Sequence, residues 1–491
     1  MTANQRPNLL AQPQGAPSSM SPVVVIDSIM GSGKTTWIIN HMRQAHDRAL
    51  SDLLSGRSDT ELPKFLYVTP LLPEVDRVKL DCPRLDFRDP IPVHGRKFQD
   101  FNRLIDEGQN IATTHALFSM VDPATLGKLK AQGYTLVIDE VLTCVDYFKS
   151  LSNDDTDLLF AQGLVYVDGS SHLRWNHDKA AEYRGKFEHV RNLCDNGNLI
   201  AWSMSADGFM PGKRGSILLW AFPTNFLAAF KGVYLLTYLF HGSPMRAYLE
   251  AEGVSFDMRM VTDKGRKLVP WSTEAEKEAK ERIRKHLKIY EGPLNAVGTK
   301  APGTRSNPLG KNWYDNAAKA NGGEALQKLR TATINFFRKH SRYAGTDTGL
   351  FAWTTFKARR AQLAGKGYKH HTQWIPLNAK ATNEYRRKTV LAYLANRFSI
   401  PEIRDYFESR GVDVYEDLYA TSEMLQWLWR SAIRDDREPR DVHVFIPSER
   451  MRHLLKLWLS CDDALSFIKA ATGKDLALPA VAPGEPMKEA A

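Results

Sequence analysis

Cysteine is scarce in this sequence: four in 491 residues, at Cys82, Cys144, Cys194 and Cys461, with no C-x-x-C pair among them. That excludes a disulfide framework and a cysteine-built zinc site, and it fits a reducing compartment. Long apolar runs are missing too, and no stretch approaches the roughly 20 apolar residues that span a bilayer. The opening residues carry no charged-then-apolar leader, so a cytoplasmic protein is expected. Acid is in deficit, with 56 Asp and Glu against 66 Lys and Arg, giving a net charge of +10. The isoelectric point near 9.2 points to an acidic partner, with nucleic acid the first choice and DNA ahead of RNA. No internal repeat is visible. The rest of the composition, 43% hydrophobic and 25% charged, is that of a globular chain with room for two to four domains.

What is present is organised around Val23-Val-Val-Ile-Asp-Ser-Ile-Met-Gly31-Ser32-Gly33-Lys34-Thr35-Thr36. The β-branched run reads as a strand buried on both faces. Ser28–Thr35 has the spacing of a phosphate loop, with Ser28 in place of the usual first glycine. Gly31 and Gly33 let backbone N–H groups crowd around phosphate oxygens at a helix N-terminus. Lys34 can reach terminal phosphates and Thr35 can ligate Mg²⁺, with Ser32 and Thr36 completing the nucleotide-binding set. A chance glycine turn would not need a buried strand before it and a helix-compatible stretch after it. A hundred residues on, Tyr134-Thr-Leu-Val-Ile-Asp139-Glu140 is a second apolar strand, ending in paired carboxylates. Asp139 can hold Mg²⁺, and Glu140 can orient or deprotonate a water.

The chain divides further. Residues 1–21 read as a disordered tail. Residues 22–250 read as a first α/β core, whose strands at 65–69, 110–114 and 233–240 alternate with helices. Hairpin signals around Asp168-Gly169 and 199–222 mark an insertion at about 150–220. Residues 251–345 are basic, open a charged helix at Thr273–Glu276, and read as a solvated linker or accessory module. A second α/β core is expected over 346–460, with strands at 349–356, 373–378 and 442–447 and a helix over 422–433. Residues 461–491 are read as a C-terminal tail, Ala/Pro/Gly-rich and disordered from Gly473. The fold class is therefore α/β: two parallel-sheet domains joined by a basic helical segment.

On that helix Gln426, Arg430 and Arg434 are spaced by four and form one stripe, while Leu425, Leu428 and Ala432 fall on another face. Guanidinium groups on such a stripe suit a γ-phosphate; a solvated basic face is the alternative. The order of these stretches resembles the superfamily 2 helicases over residues 22–455, with 257–345 outside the match. The resemblance implies two RecA-like domains with a Mg²⁺-ATP site at their cleft. It makes Ser28–Thr35 and Asp139-Glu140 the two Walker motifs and Gln426, Arg430 and Arg434 the glutamine/arginine motif. That family's last arginine comes seven residues after its glutamine, a position held here by Ile433. The resemblance places Thr69-Pro70, Thr114-His115 and Thr382-Asn383 at the nucleic-acid backbone; no clear coupling motif follows Walker B, and Thr237, at the end of the last strand of the first core, is chosen for that role over Ser205-Ala206. The loop looks more like viral, phage or origin-binding helicases than DEAD-box proteins, so a phage enzyme of DNA replication or recombination is expected. Two other readings stay open. A terminase-like packaging motor would need a C-terminal acid cluster. An ATP-dependent DNA-binding switch would clamp without unwinding.

Overall fold

Short β-branched and aromatic runs, buried on both faces, build the strands, and the intervening polar-apolar stretches build helices over them. The computed structural model describes residues 23–474 except 58–59, 94, 206–207, 214, 224–225, 272–275, 305, 342–347, 379–383 and 436. In chain order come β1 (Val23–Asp27), β2 (Lys64–Thr69), β3 (Ile111–Thr114) and β4 (Tyr134–Asp139). The insertion then carries β5 (Val145–Tyr147), β6 (Val165–Val167), β7 (Leu173–Trp175), β8 (Leu199–Ser203) and β9 (Ser216–Ala221). After it come β10 (Gly232–Thr237), β11 (Phe256–Thr262) and β12 (Lys267–Pro270). The second core has β13 (Leu287–Ile289), β14 (Phe351–Thr354), β15 (Val390–Tyr393) and β16 (Val442–Phe445).

Among the described residues a seven-stranded sheet runs β12-β11-β1-β10-β4-β2-β3, so β10 lies between the phosphate-loop strand and the acid strand. Pairs β10–β4, β4–β2 and β2–β3 are parallel, and only the β11–β12 ribbon is antiparallel among the registers seen. A second, four-stranded sheet runs β13-β16-β15-β14, parallel at every pair. Two parallel-sheet cores are the fold class that the sequence implies.

The insertion folds around its own apolar cluster. Leu159, Val165, Leu173, Trp175, Val190 and Leu199 pack together beneath the antiparallel set β5-β9-β8 and the β6–β7 hairpin.

The basic stretch departs from expectation. β11 and β12 belong to the seven-stranded sheet and β13 to the four-stranded one. Tyr314, Leu329, Phe336 and Phe337, from helices Lys311–Lys319 and Glu324–Ser341, share a cluster with Phe351, Trp353 and Phe445. This part of 251–345 is core, and its basic residues are the outer faces of helices whose apolar side is buried. Helix Lys277–His286 is not merely solvated either: Lys280 is fully buried, 3.9 Å from Glu276. The capping residues expected at 273–275 lie outside the described residues, and the strand expected at 373–378 reduces to one bridge, Trp353 with Trp374.

The chain separates into two compact units. One gathers the residues through Val25, Ile38–Asp257 and Ile400–Val414; the other gathers Ile26–Trp37, Met258–Ser399 and everything from Tyr415. In the first unit the excursion 400–414 is tied down by Arg410, which pairs with Glu252 at 2.9 Å.

Candidate functional site

The phosphate loop leaves β1 through buried Asp27 and Ser28. Gly31 and Gly33 have φ of +81° and +97°, a region in which only glycine is unstrained. Gly33 is needed for a second reason: a Cβ there would stand 2.5 Å from the Lys264 carbonyl. Ser28 accepts the Val261 N–H on its hydroxyl at 2.9 Å, which accounts for serine where the motif usually has glycine. Lys34 begins helix Lys34–Leu54 and donates its amine to the Ser28 carbonyl at 2.5 Å. The Ser32 hydroxyl is buried without a hydrogen-bond partner among the described residues. Thr35 is half-buried and Thr36 exposed on the same first turn. No acidic residue sits in that turn to cancel the positive end of the helix dipole.

Two neighbours of this loop were not legible as site residues. The turn Asp263-Lys264-Gly265 packs on Gly33, and all three of its residues lie in the left-handed region, at φ +51°, +52° and +86°. Two consecutive non-glycine residues there carry backbone strain of the kind found at functional sites. Trp429 brings its indole Nε1 within 3.5 Å of where a Cβ on Gly31 would be, and that N–H is buried with no acceptor among the described residues.

In the other unit Asp139 ends β4 and accepts the Tyr67 hydroxyl at 3.0 Å. Burial, reinforced by the Asp139 charge, raises the Tyr67 phenol well above its usual range, so it stays a donor. The His115 ring lies 3.0 Å from the Asp139 carbonyl oxygen. Glu140 follows at φ +64°, its N–H given to the Leu236 carbonyl at 2.9 Å. An αL backbone at a half-buried glutamate is unusual.

The remaining sequence candidates separate. Thr69 is fully buried, so its side chain is not available to a nucleic-acid backbone, while Pro70 is half-exposed. Thr114 caps a short helix through its hydroxyl. Thr237 is buried at the end of β10. Thr382 and Asn383 lie outside the described residues.

The Gln/Arg stripe needs correction. Helix Glu416–Leu428 stops before Arg430, with Trp429 as its cap. The Ser431 hydroxyl donates to the Leu428 carbonyl at 2.6 Å and accepts the Ile433 N–H, which turns the chain into the short helix Ala432–Arg434. Gln426 is therefore helical and half-buried, Arg430 is buried in the turn, and Arg434 is off the stripe. Leu425, Leu428 and Ala432 are buried, as the pattern implied. Arg434 instead lines a basic cleft with Arg386, Arg387, Arg437 and Arg440.

Residues 281–459 match the YonV C-terminal Rossmann-like domain, which spans the second core, and 145–220 match the YonV middle domain, which coincides with the insertion. Over 457 residues the chain is 35% identical to the SPbeta prophage-derived uncharacterized protein YonV of Bacillus subtilis (strain 168), covering 90% of this chain and 99% of that one. The chain belongs to the YonV family. The prophage origin of that YonV agrees with the phage source expected from the loop. Among solved structures, an XPD helicase aligns at 12% identity over 89% of this chain and 94% of its own, with a TM-score of 0.39. The S. tokodaii Xpd4 structure aligns at 9% identity over 89% and 93%, with a TM-score of 0.37. Likenesses this slight leave the function of YonV proteins to be argued from residues. No helix among the described residues is long and apolar enough to cross a membrane.

Proposed function

We propose that this chain hydrolyses ATP with Mg²⁺ and couples the hydrolysis to work on nucleic acid, as a helicase or translocase. One observation carries the reading: the Gly31–Lys34 loop. It combines two left-handed glycines, a buried unpartnered serine hydroxyl and a lysine amine held at the head of a helix. Those groups together are what a polyphosphate chain needs: N–H donors, a hydroxyl and a mobile cation.

Each group then has a role. Lys34 exchanges the Ser28 carbonyl for terminal phosphate oxygens. The Thr35 hydroxyl and the Asp139 carboxylate are hard oxygen donors of the kind Mg²⁺ prefers, and they would hold it. When bound, the ion would neutralise phosphate charge. The Tyr67 hydroxyl fixes the orientation of Asp139. Glu140 takes the proton of the attacking water. Arg430 offers its guanidinium to the transferred phosphoryl group, a contribution that can reach about 10³–10⁵ in rate, and Gln426 orients groups beside it. Pro70 and His115, with Thr382 and Asn383, are the proposed contacts to the nucleic-acid backbone.

The deciding measurement is ATP turnover by purified protein, alone and with single-stranded and duplex DNA and RNA. Stimulation by nucleic acid supports the reading, and Lys34→Ala should lose both nucleotide binding and turnover. Absence of hydrolysis under every condition overturns it. Directional strand displacement would separate a motor from a DNA-binding switch.

A further inference from the structure

A second concentration of positive charge lies on the second core. Among the described residues, a cleft of about 660 Å³ is lined by Arg386, Arg387, Arg434, Asp435, Arg437, Glu438 and Arg440, five guanidinium groups against two carboxylates. The two acids can balance at most two of the five guanidinium groups, and Arg386 and Arg440 act on Asp435 electrostatically. Asp435 accepts the backbone N–H groups of Arg437 and Glu438 at 3.2 and 3.3 Å. Among the described residues Glu438 pairs with Arg440, at 3.5 Å and exposed to solvent, where an ion pair is weak. Crowding guanidinium groups on a chain with this much excess base costs repulsion, and an anion in the cleft relieves it.

The walls come from the turns that lead into two strands. Arg386 and Arg387 lead into β15 and Arg440 leads into β16. The Ala432 N–H donates to the Lys388 carbonyl at 2.9 Å, and the His443 N–H to the Thr389 carbonyl at 2.8 Å. The cleft therefore sits at the amino ends of two adjacent parallel strands. The usual ligand crevice of an open α/β sheet is at the carboxyl ends.

We propose that this arginine cleft binds the phosphodiester backbone of single-stranded nucleic acid. Its lining chooses between occupants. Guanidinium forks match phosphate oxygens two at a time. No aromatic or aliphatic wall is present among the lining residues to hold a base or an adenine ring, as a mononucleotide pocket requires. A cleft of this size admits more than one phosphate, and readout by charge alone is indifferent to sequence. The inference rests on the nucleic-acid reading above and locates one part of it.

The test uses the full chain with Arg387→Ala/Arg437→Ala, two exposed positions outside the proposed ATP chemistry, and the double lysine variant at the same positions as a charge-keeping control. Binding of fluorescent single-stranded DNA and RNA oligonucleotides is titrated from low to high salt. Basal turnover and fluorescent-nucleotide binding are measured alongside. Each phosphate left without its guanidinium should lower the log–log salt slope by about 0.7, hence by about 1.4 for the alanine pair. Affinity at low salt should fall at least several-fold, basal turnover should hold, and the lysine pair should keep most of the slope. Wild-type affinity and slope in the alanine pair overturn the cleft while leaving the nucleic-acid reading standing. A loss confined to nucleotide binding overturns it in favour of a nucleotide pocket. Wild-type protein that binds no oligonucleotide overturns both.

Discussion

Glu140 carries its carboxylate on a left-handed backbone, φ +64°, where a side chain costs about 1 kcal/mol and glycine costs little. On the proposed reading, strain kept at a strand end beside Asp139 serves the chemistry rather than the fold. Two substitutions separate those contributions. Glu140→Gly should melt at the same temperature as wild type or slightly above it, yet lose turnover. Glu140→Gln should keep nucleotide binding while hydrolysis falls by about two orders of magnitude or more. Near-normal turnover in the glutamine variant would remove Glu140 from catalysis. Ser28 is the converse case, a departure from motif that serves the fold. Its buried hydroxyl accepts the Val261 N–H, so Ser28→Gly, which restores the commoner motif residue, should destabilise the protein by about 1–3 kcal/mol through an orphaned donor. Denaturant unfolding reads this directly, and a variant as stable as wild type would show that Val261 finds another acceptor.

At the scale of elements, the strands with strong local patterns were legible. β1, β2, β4 and β10 are runs of apolar residues that need both faces covered, and a single sequence shows that need. β13 was not legible, because Leu287–Ile289 is three residues long and is a strand only through its pairing with Val442–Val444, a partner about 155 residues away. The helix carrying Gln426 was legible in its body and not at its end, where Ser431 bonds to the preceding carbonyl. The turn Asp263–Gly265 shows only weak turn chemistry in sequence, and its importance is its place against the phosphate loop. A Cβ on Gly265 would meet the Gly33 carbonyl oxygen at 2.3 Å, and the neighbour in the way is backbone rather than a flexible side chain. Gly265→Ala should therefore displace this turn or the loop and weaken nucleotide affinity by roughly tenfold or more, about 1.4 kcal/mol. Gly303, also left-handed at φ +78° but in open space, should carry the backbone strain of alanine without that loss of nucleotide affinity. Equal affinities in the two variants would mean that the contact has no bearing on nucleotide.

The whole molecule buries several imidazoles in neutral form, and this sets its response to acid. His41 and His241 in one unit and His340 in the other are each held down to about 4, in every case chiefly by burial. Nearby positive charge adds to this: Arg48 for His41, Arg246 for His241, and His443 with Lys339 for His340. In the unfolded chain the same groups take up protons near pH 6.5. Between those values the unfolded state binds more protons, so stability falls as pH drops, and above the unfolded value both states are neutral and the contribution is flat. By pH 5 the more deeply buried His41 and His241 can each account for on the order of 2 kcal/mol, and the half-buried, solvent-screened His340 for less. Ordinary carboxylates titrate lower, so the fall between about pH 6.5 and 5 belongs to histidine. Melting temperature should decline steadily over that range. His241→Gln, which cannot take up the proton, should flatten the decline even where it lowers stability at neutral pH. A melting temperature constant from pH 7 to 5 in the wild type would mean that these rings protonate in the folded protein without penalty.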